Sequence, residues 1–248
     1  MKRSRQTAAR RPTPAGEAGQ PARAIPGYLR SLRRTPRNEF VTRLWTAADL
    51  LGPARVVDPA PPRACDLSRL RPAAPRAMGQ LIRVTGRVLD QAGRPLRGVL
   101  LELWQANAAG KYLHPNDPSP VPTDPHFAGR GRMLTGADGG FELLTIKPGG
   151  YAVPYEGEHS ASDWWRPPHI HFSLFGPAFA SRLVTQMYFP GEPLNRYDLL
   201  LNSILDHAAR RRLIARFART ASTPDGVLGF RHDFVLGGPS QTPWEERP

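Results

Sequence analysis

The clearest pattern in the chain is a set of short apolar segments, separated by Gly/Pro-rich turns, that begins near Gly79. In the first segment Ile82, Val84 and Val88 alternate with polar side chains, as in a strand with one buried face. Further segments of this kind span residues 99–104, 132–134, 141–146, 169–175, 182–189 and 229–236. Because no helical period intervenes between them, the pattern predicts an all-β fold, most simply an antiparallel β-sandwich with long loops.

Helical periodicity is confined to residues 197–220. Leu200, Ile204, Leu213 and Phe217 recur at spacings that place them on one face of a helix. The pattern predicts one or two amphipathic helices here, packed on the periphery of the sheets.

Charge and composition divide the chain further. Residues 1–43 hold eleven Lys and Arg against two acids, a net charge of +9, which leaves only +4 of the total +13 for the rest. We therefore predict a disordered basic arm (1–25), an N-terminal segment and Pro-rich connector (26–78), a β-sandwich domain (79–236) and a loose C-terminal tail (237–248). The composition of the arm does not favour nucleic-acid binding, since no aromatic residues are interleaved with its basic ones.

Several classes of protein are excluded or disfavoured by composition. No apolar run is long enough to span a membrane and no apolar stretch follows the basic N-terminus, so we expect a cytoplasmic protein. The single cysteine, Cys65, cannot form a disulfide within the chain or supply a multi-cysteine zinc site.

The first candidate for chemistry is the segment RPPHIHF at residues 166–172. His169 and His171 are two apart in a predicted strand, so both imidazoles lie on one face, about 7 Å apart at Cβ. Such a pair can bind one metal ion. Two alternatives stay open: ordinary surface histidines, or a zinc or copper site completed by His114 or His126.

Two long loops, residues 107–130 and 148–168, carry further candidate ligands. Tyr112 lies in the first and Tyr151 in the second. A phenol ionises near pH 10 in water, yet a trivalent cation can hold it as phenolate at neutral pH. Two phenolates with two imidazoles form a hard, anionic set that favours Fe(III) over Fe(II) or Zn(II). The alternative is that either tyrosine is a half-buried loop aromatic.

The order and the amino-acid sequences of these segments resemble those of the intradiol ring-cleaving dioxygenases, and among them the iron-bearing beta subunits of enzymes that cleave protocatechuate. A shorter match covers residues 26–37. The four main matching stretches are GRVLDQAGRPLRGVLLELWQANAAGKYLHPND, GRGRMLTGADGGFELLTIKPGGY, DWWRPPHIHFSLFGP and RLVTQMYFPGEPL.

The resemblance implies a transthyretin-like β-sandwich with a non-haem Fe(III) ion held by Tyr112, Tyr151, His169 and His171. It also implies that Tyr151 leaves the iron when substrate binds and accepts a substrate proton. In this family a tryptophan commonly follows two residues after the second tyrosine, where this chain has Val153. The segment after that tyrosine is also longer here, so an ungapped count would select Tyr155 instead of Tyr151.

Other site residues are implied by the same resemblance. Arg166 would balance charge on the substrate, while Gln186 and Tyr188 would orient the ligands and bound solvent. Trp104 would line the substrate pocket. Tyr28 would help to bind the substrate carboxylate, which favours protocatechuate over catechol.

The implied activity is that of an Fe(III) oxidoreductase in aromatic catabolism, within the beta-ketoadipate pathway. Protocatechuate and O2 would yield 3-carboxy-cis,cis-muconate, and a homologous alpha subunit would be the partner in a hetero-oligomer. Two alternatives remain: an intradiol enzyme for catechol or hydroxyquinol, and an iron-free β-sandwich that serves as a binding module.

Overall fold

The computed structural model describes residues 19–28, 31–32, 35, 64–115, 117, 119–153, 164–175, 182–224 and 226–245. Most of its regular structure is strand. The strands are β1 (Ala64–Asp66), β2 (Leu81–Asp90), β3 (Leu100–Trp104), β4 (Arg130–Leu134), β5 (Gly140–Ile146), β6 (Tyr151–Ala152), β7 (Trp165–Arg166), β8 (His169–Phe175), β9 (Arg182–Tyr188), β10 (Arg216–Phe217), β11 (Leu228–Arg231) and β12 (Phe234–Leu236).

These strands form two principal sheets and one short ribbon. The first sheet has the order β1-β5-β2-β11-β10, with β12 also paired to β2, and the second has the order β4-β3-β8-β9. The second sheet is antiparallel throughout, as predicted. The first is mixed, because β1 runs parallel to β5 while β11 and β12 run parallel to β2. The ribbon pairs β6 with β7.

The core lies between the two sheets and confirms the alternation seen in the sequence. Ile82, Val84 and Val88 of β2 are completely buried, in one cluster with Ile170 and Phe172 of β8. Each such side chain contributes about 1.5–3 kcal/mol by leaving water. The strand that carries the histidine pair is therefore held in place by the larger of the two apolar clusters in the described part of the chain.

The helical prediction for residues 197–220 is right only in part. Between residues 197 and 218 the structure has two short α-helices, α1 (Leu199–Asn202) and α2 (His207–Arg212), because Asp198 and Asp206 each cap a separate first turn. Phe217 lies in β10 and is 53% exposed. Leu200, Leu201, Ile204 and Leu213 are buried, and three of these four, all but Leu200, form a small cluster around Tyr188.

Packed structure extends beyond the limits predicted from composition. Strand β1 begins before Gly79, and Leu67 is buried in the core. At the N-terminus Ile25 is buried, although the predicted arm includes it. At the other end Thr242 is buried, contrary to the expectation of a loose tail. Within the described part of the chain, no helix has the length and apolarity needed to cross a membrane.

Candidate metal centre

Strand β8 places the two histidines on the face opposite the core. Its register sets His169 beside Tyr188 and His171 beside Gln186 on β9, and Trp104 of β3 lies opposite His171 on the other side. Both histidines are buried. Because cross-strand partners share a face, the sequence-predicted residues of three strands are gathered on one patch.

Glycines bring the two tyrosine-bearing loops together. Gly110 has a φ of +86°, and a Cβ there would lie 2.4 Å from the carbonyl oxygen of Gly150. Gly149 is packed as tightly, with its Cβ position 2.4 Å from the oxygen of Ala108. The buried Asn107 joins the loops, since its carbonyl accepts from the Gly149 amide at 2.9 Å. Tyr112 and Tyr151 follow directly after these contacts.

The phenols are aimed from two directions. The backbone amide of Tyr112 donates to Asp117 Oδ2 at 2.8 Å, which fixes the loop around it. Tyr151 lies opposite Arg166 in the β6–β7 ribbon, and Arg166 itself is three residues before His169 in the sequence. The two phenol rings meet edge to face, with centroids 5.3 Å apart.

Four donor atoms converge at the centre of this patch. Tyr112 OH lies 2.9 Å from His171 Nε2 and 3.4 Å from His169 Nε2. Tyr151 OH lies 3.5 Å from His169 Nε2, and the two Nε2 atoms are 3.1 Å apart. Ligands that share one ion at about 2.0–2.1 Å stand about 3–3.5 Å from one another. The spacing suits a single metal ion.

The other ring nitrogens decide where the imidazole protons are. His169 Nδ1 lies 2.6 Å from the carbonyl oxygen of Pro167, and His171 Nδ1 lies 2.9 Å from Glu245 Oε2. Since both oxygens are acceptors, each Nδ1 carries the proton and each Nε2 carries a lone pair. Two lone pairs that face each other at 3.1 Å repel, and either a phenol proton or a metal cation between them relieves that repulsion.

Burial sets the protonation of the donors. It lowers the pKa of His169 well below its ordinary value, with Arg166 and His171 adding to the effect, so this imidazole is neutral. Burial also raises the pKa of Tyr112 well above 10, and the neighbouring Tyr151 raises it further. The pKa of Tyr151 is raised mainly by burial too. These phenols become anions only when a strong positive charge binds beside them, and the donor set therefore fits a trivalent metal ion.

The zinc or copper alternative lacks its third ligand. Among the residues that the structure describes, no three His, Cys, Asp or Glu side chains form a group able to hold a metal ion, and both His114 and His126 are included. Tyr155, the alternative to Tyr151, lies outside the described residues.

A buried charge network lies beside the donors. Arg166 Nη2 donates to Gln186 Oε1 and, at 3.0 Å, to Tyr188 OH, while its Nε donates to Asp198 Oδ2 at 3.3 Å. Burial alone would lower the pKa of Arg166, but Asp198 and the phenols outweigh it and keep the guanidinium charged. Burial raises the pKa of Tyr188 well above 10, and its OH donates to Gln186 at 2.8 Å.

The two aromatic residues predicted for the pocket have different positions. Trp104 stacks on the His171 ring, with centroids 4.9 Å apart and planes 6° from parallel. Tyr28 touches Trp164 edge to face at 5.1 Å, and Arg166 lies 5.7 Å over that tryptophan ring. Tyr28 is thus joined to the centre through Trp164 and Arg166.

Comparison with known proteins agrees with this geometry. A family profile described as "Dioxygenase" matches residues 53–238. The protocatechuate 3,4-dioxygenase beta chain of Burkholderia cepacia is 44% identical over 233 residues, which cover 94% of this chain and 97% of that one. The chain belongs to the intradiol dioxygenase family.

More distant members are similar over smaller parts. A hydroxyquinol 1,2-dioxygenase of Rhizobium sp. (strain MTP-10005) is 31% identical over 173 residues, 64% of this chain and 55% of that enzyme. The solved structure of 3-chlorocatechol 1,2-dioxygenase from Rhodococcus opacus 1CP is 27% identical, with a TM-score of 0.52, and covers 73% of this chain and 68% of that one. This intradiol dioxygenase is therefore an enzyme with the β-sandwich fold of its relatives.

Two charged residues of this dioxygenase centre were missed by the sequence analysis. Asp198 pairs with Arg166 and Glu245 pairs with His171. Burial opposes ionisation of Glu245, but His171, Arg166 and Gln186 outweigh it and hold its pKa below the ordinary value. In the sequence Asp198 could be recognised only as a helix cap before Leu199. No pattern in the C-terminal residues indicates a role for Glu245.

Proposed function

We propose that this chain is the beta-type subunit of a protocatechuate 3,4-dioxygenase, which uses O2 to open the ring between its two hydroxyl-bearing carbons and forms 3-carboxy-cis,cis-muconate. The observation that carries the proposal is the convergence of two phenols and two imidazole lone pairs within 2.9–3.5 Å. Fe(III) suits this set because two phenolates and two neutral nitrogens offset most of its charge with hard ligands.

The proposed ligands are Tyr112, Tyr151, His169 and His171. When bound there, Fe(III) would draw electron density from a chelated catecholate and so make the ring reactive towards O2. The chain's own part is to hold both substrate oxygens beside these donors. Tyr151 is the better-placed base, because its oxygen is the farther of the two phenols from the histidine nitrogens and it lies opposite Arg166. On release it can take a proton from a substrate hydroxyl.

Arg166 is proposed to stabilise negative charge that develops on the ring oxygens. It is buried, permanently charged and held from three sides by Asp198, Gln186 and Tyr188. A cation fixed before the reaction spends no energy on reorientation as charge develops.

The carboxylate end of the substrate is assigned to the N-terminal segment. Tyr28 reaches the centre through Trp164 and Arg166, and its hydroxyl is suited to donate to an anionic oxygen. This arrangement, together with the full-length similarity to a protocatechuate enzyme, supports protocatechuate over catechol or hydroxyquinol.

The proposed partner is a homologous alpha subunit, since the Burkholderia cepacia relative is a beta chain. In the chain alone, Trp165 is 51% exposed and Tyr197 is 62% exposed. Each is adjacent in sequence to a residue of the charge network, Arg166 and Asp198. Large exposed aromatic side chains are typical of protein interfaces.

Oxygen uptake by the iron-loaded chain tests the proposal, with protocatechuate, catechol and hydroxyquinol as substrates and with or without a homologous alpha chain. We expect the highest kcat/KM with protocatechuate and 3-carboxy-cis,cis-muconate as product. Tyr28→Phe should raise the KM for protocatechuate and leave the KM for catechol unchanged, and the exposed Leu205→Ala is the surface control. Faster turnover of catechol or hydroxyquinol would refute the substrate assignment.

A further inference from the structure

We propose that Glu245, delivered by the C-terminal segment, is a positioning residue that makes His171 the stronger of the two imidazole ligands. The inference rests on the proposed function, because it concerns the same metal centre. Glu245 Oε2 accepts the Nδ1 proton of His171 at 2.9 Å, and its side chain is only 16% exposed. The residues are 74 positions apart, so only the fold brings them together.

The C-terminal segment, residues 241–245, is fixed by contacts from several elements. The Thr242 amide donates to Val235 O and its hydroxyl accepts from Val235 N, each at 2.9 Å. The remaining bonds run from Thr185 Oγ1 to Pro243 O, from Arg212 Nε to Gln241 O, from Trp244 N to Gln20 Oε1 and from Glu245 N to Val184 O. Glu245 is therefore held against His171 by the structure and is not a chance contact of a free end.

The two histidines differ in what supports them. His169 donates its Nδ1 proton to a neutral carbonyl oxygen, whereas His171 donates to a carboxylate. A carboxylate partner makes the imidazole more basic and fixes both its tautomer and its orientation. The indole ring of Trp104, which stacks on the imidazole of His171, also limits rotation of that imidazole. His171 is thus prepared to donate more charge to a metal ion than His169 is.

A buried carboxylate also changes the charge of the site. Glu245 is largely removed from water, and its carboxylate accepts from the imidazole of His171. A buried charge is costly unless an opposite charge lies near it. Arg166 supplies part of that charge, and a metal cation on the far side of His171 would add to it, so that Glu245 and the metal would stabilise each other through the ring.

The test compares wild type with Glu245→Gln and Glu245→Ala, and uses Glu142→Gln as the matched control. Glu142 is an exposed glutamate of strand β5 that pairs with Arg83 and has no proposed role in the metal centre. Readouts are iron affinity by chelator competition, the position of the visible tyrosinate-to-Fe(III) absorption band, and the melting temperature without metal. We expect Glu245→Gln to bind iron about 10–100-fold more weakly and to move the band to longer wavelength, whereas Glu142→Gln should match wild type in both.

The possible results separate this inference from the proposed function. If wild type binds iron and Glu245→Gln matches it in affinity and band position, the role of Glu245 is wrong and the enzyme assignment stands. If wild type binds no iron, both fail. Should Glu245→Ala fold poorly, the isosteric Gln variant decides, because it keeps the volume and removes only the charge.

Discussion

At the scale of single residues, the centre depends on which atoms carry protons. The carbonyl of Pro167 and the carboxylate of Glu245 each take an Nδ1 proton, so both Nε2 lone pairs face the same point as two phenol oxygens. Burial keeps those phenols protonated in the absence of positive charge. If these four donors bind a metal ion as proposed, binding would release protons from Tyr112 and Tyr151, and iron affinity should rise with pH.

Removing one phenol should remove most of the iron. Tyr112→Phe deletes the oxygen that lies nearest to the histidine nitrogens, at 2.9 Å from His171 Nε2. We expect loss of bound iron, of the visible absorption band and of oxygen uptake, as measured by metal analysis, absorption and an oxygen electrode. Leu205→Ala, at a leucine that is 64% exposed, should change none of the three. Near-normal turnover by Tyr112→Phe would contradict the ligand assignment.

His232, a buried histidine outside the proposed metal centre, should make the stability of the fold depend on pH. Burial lowers the pKa of His232 from 6.5 to about 4, so the folded state resists a proton that the unfolded chain accepts. Its contribution is complete above pH 6.5 and is lost as the pH falls towards 4, by about 3 kcal/mol. Between pH 6.5 and pH 4, the free energy of unfolding measured with denaturant should fall by about 3 kcal/mol more for wild type than for His232→Leu. The exposed His207→Leu should behave like wild type; equal slopes for all three proteins would refute the effect.

At the scale of elements, the loops that carry the tyrosines depend on close backbone contact. In Gly110→Ala a Cβ would lie 2.4 Å from Gly150 O, and the residue would also be strained at a φ of +86°. Gly93→Ala is a matched control, because its φ is +78° and no atom lies within 4 Å of its Cβ position.

Both glycine variants should lose about 1–2 kcal/mol of unfolding free energy to backbone strain. Only Gly110→Ala should lose more than this and also bind iron weakly, since only there must the two loops separate. Denaturant unfolding and chelator competition measure the two effects. Equal iron affinity in the two variants would show that the loop contact does not position the phenols.

The two helix caps offer a second matched pair. Asp198 caps α1 and also accepts a hydrogen bond from the buried Arg166, whereas Asp206 caps α2 through the amide of Ala208. Asparagine caps a helix as well as aspartate, so Asp206→Asn should be nearly neutral. Asp198→Asn should cost about 3 kcal/mol and lower kcat, because Arg166 loses its counter-ion. Similar unfolding curves for the two variants would exclude a special role for Asp198.

The same elements show what sequence reasoning could and could not reach. The period-2 pattern of β8 was sufficient to place His169 and His171 on one face, because a strand fixes that relation locally. The helix predicted to residue 220 ended at Arg212, because apolar spacing does not reveal that β10 pairs with β11. Strand β1 was missed because its pairing with β5 is long-range and its Pro-rich surroundings have no period.

At the scale of the whole molecule, the two ends of the described chain meet beside the proposed metal centre. Gln20 accepts from the amide of Trp244, next to Glu245, and Ala22 donates to Ser203 after α1. Both segments were predicted to be loose, since basic and proline-rich stretches do not by themselves form a core. Their order depends on partners more than a hundred residues away, which no local pattern in a single sequence can indicate.

The central claim is that Tyr112, Tyr151, His169 and His171 share one Fe(III) ion. Metal analysis of the purified chain, combined with resonance Raman excitation in its visible band, tests it most directly. The account predicts one iron ion per chain and tyrosinate vibrations that disappear with the metal. A colourless, iron-free protein that is fully folded after expression with ample iron would contradict it.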